Sequence, residues 1–164
     1  MKVGIIMGSD SDVEVVKKTI KVLKDFGVDY EARVISAHRT PFKAIDFAQN
    51  AEENGFEVII GAAGKAAHLP GVLAGVSTLP VIGLPIKSST MDGLDSLLSI
   101  VQMPKGVPVA SVAINGAENA GLLAVQILSV KYNELRDKIK SFKQDMAKEV
   151  ARKDLSVQKM TMEV

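Results

Sequence analysis

The chain of 164 residues contains no cysteine and no tryptophan, and aromatic residues make up only 4% of it. The lack of cysteine excludes disulfides, thiolate metal sites and a thiol nucleophile. Because aromatic residues are scarce, the core must be built from Val, Ile, Leu, Ala and Met. Such a core is typical of a parallel sheet covered by helices.

The chain also lacks an excess of charge of either sign, since 20 Lys and Arg residues and 19 Asp and Glu residues leave a net charge of +1. We therefore expect it to bind neither nucleic acid nor an anionic membrane surface. No apolar stretch is long enough to span a bilayer, and the first residues run into a strand pattern that leaves no room for a signal peptide. We expect a cytoplasmic protein.

The chain does have a regular alternation of apolar runs and amphipathic stretches. The apolar runs predict five strands, at 3–7, 30–35, 58–60, 81–84 and 107–114. The stretches between them predict helices, from 11 or 12 to 26, from 41 to about 54, and over 69–76, 93–101 and 117–130. This alternation predicts a single α/β domain over residues 1–164. Its fold class is a three-layer, doubly wound parallel sheet of the flavodoxin or Rossmann type.

The C-terminal segment has a different pattern from the rest. From Tyr132 onward, apolar residues recur at helical spacing among charged ones. This predicts an extra C-terminal helix over residues about 131–153, with a frayed polar end from about Asp154. The helix could lie on its own sheet or pack on a neighbouring subunit. Because a five-stranded domain already has helices for both faces, we favour the neighbouring subunit and hence a homo-oligomer.

Three loops rich in Gly, Ser and Ala follow the first three predicted strands, and the two histidines of the chain lie in two of them. The loops are Gly8–Asp12, Ser36–Pro41 and Gly61–Gly71. Loops after the strands of a parallel sheet meet at one edge, where ligands bind. We therefore expect the two side chains that titrate near neutral pH to lie at one site.

The first two loops carry groups suited to a phosphorylated ligand. Ser9, Ser11 and Asp12, at the start of a helix, suit a phosphate or a sugar hydroxyl. An ordinary capped turn is the alternative, because the loop lacks both the P-loop lysine and the Gly-x-Gly-x-x-Gly spacing.

In the second loop, Arg39 offers a rigid fork of donors for phosphate, and Ser36 and Thr40 add hydroxyls. His38 could then act on whatever the phosphate anchors. The alternative is that His38 caps a turn and that Arg39 pairs with a surface acid. Two such residues before a helix that starts with proline favour the functional interpretation.

The third loop, Gly61–His68, has almost no side-chain bulk apart from Lys65 and His68, so its backbone could approach a flat ligand closely. Tight turns, close helix packing and a structural His68 are the alternatives. Two later loops, Ser88–Leu97 and Gln102–Pro108, could close over a site, although Met103 is equally suited to packing.

Five motifs occur in one order along the chain, at Met7–Asp12, Ser36–Pro41, Ala66–Gly71, Gly93–Leu97 and Ser99–Pro104. Together they resemble the N5-carboxyaminoimidazole ribonucleotide mutases of de novo purine (IMP) biosynthesis. This family is also called the catalytic subunit of phosphoribosylaminoimidazole carboxylase. The similarity runs from residue 3 to about residue 150.

The resemblance implies an α/β isomerase assembled as a homo-octamer, with sites built from more than one subunit. It implies a reaction without metal, nucleotide cofactor or biotin. In that reaction, a carboxylate moves from the exocyclic nitrogen of the ribonucleotide substrate to a ring carbon, which gives 4-carboxy-5-aminoimidazole ribonucleotide.

The resemblance also implies roles for individual residues. Arg39 and the serine loop would hold the phosphate, Asp12 would bind the ribose hydroxyls, and His38 would be the catalytic acid/base at the ring carbon. The expected substrate-binding residues are Ser9, Ser11, Asp12, Ser36, Arg39, Gly64, Ala66, His68 and Leu69. Of these, His68 and the Gly-Ala loop would wall the pocket in which the carboxylate moves.

Two positions depart from the family pattern, because Ala62 and Lys65 stand where glycines are expected. Lys65 could attract a carboxylate or turn outward, and we favour the outward orientation or a subunit contact. Two other functions fit the same fold. One is a direct carboxylase that adds CO2 to aminoimidazole ribonucleotide, and the other is a non-enzymatic, flavodoxin-like nucleotide-binding module.

Overall fold

The computed structural model describes residues 1–162 and contains a five-stranded parallel sheet with helices on both faces. The strands are β1 (Lys2–Met7), β2 (Asp29–Val34), β3 (Val58–Gly64), β4 (Val81–Ile86) and β5 (Ala110–Ser111). The helices are α1 (Val13–Phe26), α2 (Pro41–Gln49), α3 (Leu69–Val76), α4 (Leu94–Val101), α5 (Ala117–Leu128) and α6 (Asn133–Met162). The predicted α/β fold class is confirmed.

The strands lie in the order β2-β1-β3-β4-β5. The chain winds in one direction from β1 to β2 and in the other direction from β3 onward. The loops after β1 and β3 therefore leave the sheet toward opposite faces, and a crevice remains between them at the carboxyl edge. In sheets of this kind, that crevice is where ligands bind.

Each face of the sheet has its own apolar core. One cluster joins alternate residues of β1 and β3 to α1, α5 and the start of α6, and the other joins the intervening residues to α2, α3 and α4. Glycines in the central strands allow the second set of helices to come close. A Cβ atom added to Gly61 would lie 3.1 Å from Pro70 of α3, and one added to Gly83 would collide with Ile100 of α4.

Three strands differ clearly from their predicted lengths, and one of them, β4, ends at Ile86 rather than at residue 84. β3 continues to Gly64 rather than ending at residue 60, because the small residues of the third loop pair with β4 as far as Ile86. The fifth strand lies within the predicted range, but the predicted length over 107–114 was wrong, since only Ala110–Ser111 pair with β4. Pro108 cannot donate a hydrogen bond to a ladder, which explains why pairing begins only after it.

Helix α6 runs from Asn133 to Met162, so it continues beyond the end predicted near residue 153, and no frayed segment begins at Asp154. Its first turns lie on the chain's own core, where Leu135 is buried and the ring of Phe142 is 5.9 Å from that of Phe26. The later apolar side chains are exposed. Within the described residues, no helix is long and apolar enough to cross a membrane, α6 included.

At the amino edge of the sheet, several charges neutralise one another around Glu57. Its carboxylate accepts hydrogen bonds from the Tyr132 hydroxyl at 2.8 Å and the Lys131 ammonium at 3.1 Å, and the N-terminal ammonium lies 3.7 Å away. Partial burial alone would raise the pKa of Glu57, but these partners outweigh it and the pKa is lowered. This cluster joins β1 and β3 to the start of α6.

Candidate active site

A pocket of about 610 Å³ lies at the carboxyl ends of β1 to β4. Its volume is within the range usual for small-molecule sites. It is lined by Gly8, Ser9, Ser11, Asp12, Ser36, Ala37, His38, Arg39, Ala63, Gly64, Lys65, Ala66, Leu69, Ile86, Lys87, Ser88 and Ser89. The three loops predicted to meet at this edge therefore do meet there, together with the segment that follows β4.

The loop after β1 forms a capping box that places Asp12 in the pocket wall. The Ser9 hydroxyl accepts a hydrogen bond from the Ser11 N–H at 3.3 Å, and the Asp12 carboxylate accepts one from the Ser9 N–H at 3.2 Å. Asp12 is only 7% exposed, and burial raises its pKa despite these hydrogen bonds. A buried carboxylate that faces a pocket is suited to accept hydrogen bonds from ligand hydroxyls.

The loop after β2 is closed by hydrogen bonds between Ser36 and Thr40. The Thr40 hydroxyl donates to the Ser36 carbonyl at 3.0 Å and accepts from the Ser36 N–H at 3.1 Å. It does not cap α2, although Pro41 starts that helix as predicted. The Arg39 guanidinium contacts the Gly8 carbonyl at 3.2 Å and the Ser36 hydroxyl at 3.5 Å. Because both partners are neutral, its charge stays available to an anionic ligand.

The two histidines are hydrogen-bonded to each other. His38 Nε2 lies 2.8 Å from His68 Nδ1, and the two rings are nearly perpendicular, at 84°. One ring must donate and the other accept, so the pair shares one proton between these two nitrogens. Nδ1 of His38 then remains as that ring's second proton-transfer position. This contact couples the protonation of the two rings through one hydrogen bond.

The third loop supplies a wall of small groups between the histidines and the sheet. Tight turns bring the Ala67 N–H to the Lys65 carbonyl and the His68 N–H to the Ala66 carbonyl, each at 2.8 Å. Lys65 has a φ of 57°, a left-handed conformation that favours glycine over lysine. Lys65 borders the pocket rather than lying elsewhere on the surface. Lys65 is one of the two positions at which the resemblance led us to expect glycine.

A model described as AIR carboxylase matches residues 2–149 of the chain. The chain belongs to this family. A protein of Pyrococcus abyssi named N5-carboxyaminoimidazole ribonucleotide mutase is 64% identical over 145 residues, which are 88% of this chain and 83% of that protein. One of the same name from Thermotoga maritima is 59% identical over 152 residues, which are 93% of this chain and 89% of that protein.

The AIR carboxylase family also includes a longer plant protein. The chloroplastic phosphoribosylaminoimidazole carboxylase of Vigna aconitifolia is 51% identical over 156 residues, which are 95% of this chain but 28% of that protein. The fold matches a crystal structure of Treponema denticola PurE with a TM-score of 0.85 and 31% identity, covering 93% of this chain and 96% of that one. Sequence and fold therefore agree on the family.

In this member of the AIR carboxylase family, every predicted site residue except His68 lines the pocket. His68 reaches the site through its hydrogen bond to His38. The prediction did not include Ile86 and Lys87, although they follow the predicted fourth strand over 81–84 as the other loops follow theirs. The loop Gln102–Pro108 does not line the pocket; its Met103 packs against Gly71 of α3 instead.

The described part of the chain has no cluster of side chains typical of a metal site. No group of three or more His, Asp or Glu side chains lies close enough together in residues 1–162 to form such a site. The charged and polar groups at the pocket are instead the Arg39 guanidinium, the ammonium groups of Lys65 and Lys87, one buried carboxylate, the histidine pair and several hydroxyls. This set suits an anionic, hydroxyl-bearing ligand.

Proposed function

We propose that this protein is an N5-carboxyaminoimidazole ribonucleotide mutase that forms 4-carboxy-5-aminoimidazole ribonucleotide in purine biosynthesis. The observation that carries the proposal is the His38–His68 pair, with nitrogens 2.8 Å apart, beside a pocket that also presents Arg39 and Asp12. Relatives named as this mutase, at 59% and 64% identity, support it. The proposed substrate is a phosphorylated metabolite, for which we propose a cytoplasmic reaction.

Different polar groups of the pocket would bind different parts of the substrate. Arg39 would bind the phosphate, since its guanidinium has only neutral partners at 3.2 and 3.5 Å. The hydroxyls of Ser9, Ser11 and Ser36 border the same part of the pocket and would add donors. Asp12 would accept hydrogen bonds from the ribose hydroxyls. With both ends of the nucleotide held, the aminoimidazole ring would face the histidines.

The proposed reaction needs one proton to be delivered and one to be removed. The bond between the exocyclic nitrogen and the carboxylate breaks, the nitrogen takes up a proton and CO2 is released. The ring carbon, made nucleophilic by the free amine, then attacks the CO2, and loss of its hydrogen as a proton restores aromaticity. No electrons are gained or lost overall, so a single acid/base group is sufficient.

We propose His38 as that group. Its Nε2 is held by His68, which fixes the orientation of the ring and leaves Nδ1 for the substrate. A proton given to the nitrogen and regained from the carbon returns His38 to its starting state. His68 is then a positioning residue that sets which nitrogen of His38 carries the proton.

The Gly-Ala wall would confine the released CO2. Ala63, Gly64 and Ala66 border the pocket with at most one methyl group each, so the backbone can close around a small molecule. Exclusion of bulk water from such a space prevents escape and side reactions of the intermediate. We expect variants with larger side chains at these positions to release CO2 rather than transfer it.

A direct carboxylase is the second candidate, because one relative at 51% identity carries that name. The two functions are separated by supplying N5-carboxyaminoimidazole ribonucleotide alone, or aminoimidazole ribonucleotide with bicarbonate, at low protein concentration. Rapid conversion of the first to the C-carboxylated product is the expected result. Consumption of the second alone would assign the carboxylase, and inertness toward both would contradict either enzyme.

We also propose that α6 packs on a neighbouring subunit in a homo-octamer. Beyond Phe142, Met146, Val150 and Val157 recur at spacings of four and seven residues, which places them on one face of α6, and they are 44%, 65% and 52% exposed. A contiguous exposed apolar surface of this kind favours a protein partner. Light scattering during size-exclusion chromatography tests the octamer, and a monomer at micromolar concentration would contradict it.

A further inference from the structure

The segment Ile86–Ser89 forms the fourth wall of the pocket; it begins at the last residue of β4 and leads toward α4. The loop that continues from it has two left-handed residues, Asp92 with a φ of 53° and Gly93 with a φ of 98°. A Cβ atom at Gly93 would lie 2.6 Å from Ile114, so the loop turns where little space exists. Such a loop needs specific tethers to keep one shape.

The first tether joins Ser88 to Asp95 of α4. The Ser88 hydroxyl is within 2.8 and 2.9 Å of the two Asp95 carboxylate oxygens, to which it donates its proton. Ser88 Oγ also accepts hydrogen bonds from the N–H groups of Thr90 at 3.3 Å and Met91 at 3.5 Å. Ser88 is only 7% exposed, so this hydroxyl is used within the loop. Because Asp95 accepts the proton of the Ser88 hydroxyl, it fixes the direction in which that hydroxyl points.

The second tether comes from the loop after β5. The Asn115 side-chain oxygen accepts a hydrogen bond from the Lys87 N–H at 2.9 Å, and the Asn115 N–H donates to the Pro85 carbonyl at 2.8 Å. Asn115 therefore spans the point where β4 becomes the pocket wall. A third contact, from the buried Ser96 hydroxyl to the Ile86 carbonyl at 2.8 Å, holds the same point from α4.

We propose that Asp95 and Asn115 are positioning residues that hold the Ile86–Ser89 wall in the shape that binds the ribonucleotide. Neither residue lines the pocket, so each acts through the backbone and hydroxyl groups that it holds. The proposal rests on the proposed function for the identity of the ligand. The proposal also explains the residues of the Gly93–Leu97 motif. Gly93 forms the turn, the Asp95 carboxylate accepts from Ser88, and the Ser96 hydroxyl donates to the Ile86 carbonyl.

Asp95→Ala and Asp95→Asn test the first tether. Asp95→Ala removes the acceptor, and we expect kcat/KM to fall by about ten-fold or more, because a wall displaced by an ångström costs heavily in rate. Asp95→Asn keeps an acceptor oxygen, and we expect its kcat/KM to stay within about three-fold of the original. The exchange of the Thr90 and Met91 amide hydrogens should become faster in Asp95→Ala only.

A merely structural role predicts another result. Asp95 lies in the first turn of α4, where a carboxylate favours the helix. If this charge were its contribution, both variants would lower Tm equally, and both would keep the original kcat/KM below the transition. That outcome, or unchanged amide exchange in Asp95→Ala, would overturn the proposal.

Asn115→Gly provides a second variant, which does not depend on whether Asp95→Ala folds. Glycine tolerates the φ of 55° at this position but lacks the oxygen that accepts from Lys87. We expect faster exchange of the Lys87 amide and a higher KM, and an unchanged KM would contradict the role of Asn115. Amide exchange needs no substrate, so failure of the proposed function would appear separately, as an unmodified protein that is inert toward the nucleotide.

Discussion

The two edges of the same sheet use charge in opposite ways. At the amino edge, Glu57 is surrounded by Lys131, Tyr132 and the N-terminal ammonium, and its pKa is lowered. At the carboxyl edge, Asp12 is buried with backbone and hydroxyl partners only, and its pKa is raised. The comparison shows that the charges around Glu57 pair with one another, whereas Asp12 and Arg39 have no ion-pair partner within the described residues and are free for the ligand that we propose.

Replacing His38 should have the largest effect, and it should change activity without changing stability. Asn at this position cannot exchange a proton near neutral pH, and general acid/base catalysis contributes about 10² to 10⁴-fold in rate. We expect His38→Asn to lose kcat by about that factor while it still binds the ribonucleotide, as measured by calorimetry. Retained turnover would remove His38 from its proposed role and weaken the contrast between the edges.

Replacing Arg39 should weaken binding of phosphorylated ligands. We expect Arg39→Ala to lose about 2–4 kcal/mol of binding free energy for the ribonucleotide, and little for the corresponding nucleoside without phosphate. Arg33→Ala is the matched control, because it makes the same change of charge at an exposed position outside the pocket lining. Equal losses for the nucleotide and the nucleoside would mean that the phosphate lies elsewhere.

Replacing Glu57 should give the reverse pattern, a loss of stability without a loss of activity. We expect Glu57→Gln to lower the free energy of unfolding by about 1 kcal/mol at pH 7. A lowered pKa contributes stability above the pKa of the unfolded chain, and that contribution is lost as the pH falls through the folded-state pKa. Chemical denaturation from pH 7 down to below the folded-state pKa of Glu57 measures this. The unfolding free energies of the original protein and Glu57→Gln should converge as the pH falls.

Glu14→Gln is the control for Glu57→Gln, because Glu14 forms an exposed ion pair with Lys17 on α1. We expect it to leave the free energy of unfolding almost unchanged. A large effect of this control, or a loss of kcat/KM in Glu57→Gln, would show that the amino edge is not a purely stabilising region.

Replacing Asp12 should raise stability slightly while it weakens substrate binding. A raised pKa means that the buried carboxylate costs free energy above that pKa, and the cost is relieved as the pH falls through it. We expect Asp12→Asn to gain about 0.5–1 kcal/mol at pH 7, with a smaller gain in acid, because Asn keeps an acceptor for the Ser9 N–H. Denaturation of Asp12→Asn and the exposed Asp25→Asn in parallel measures this, and a destabilised Asp12→Asn would contradict it.

The predictions from sequence were most accurate where local pattern and chemistry coincide. The apolar runs that became β1, β3 and β4 have the continuous hydrophobicity of central parallel strands, and Pro41 marked the start of α2. The predicted length was wrong at β5, because Pro108 interrupts the apolar run and cannot donate a hydrogen bond to β4. The sequence also did not predict that α6 continues past residue 153. A polar, charged end of a helix has the same composition as a disordered, solvated tail.

By itself the sequence determined the fold class, the loops that carry the chemistry and the residues expected in the site, because these depend on residue type and on the rule that loops after parallel strands share an edge. Only the tertiary structure decided that His38 and His68 touch, that Asp12 is buried and that Asp95 and Asn115 form hydrogen bonds with Ser88 and Lys87. Each of these contacts joins segments that meet only after the sheet has formed. Distance and burial are properties of the packed chain, and spacing along the sequence does not specify them.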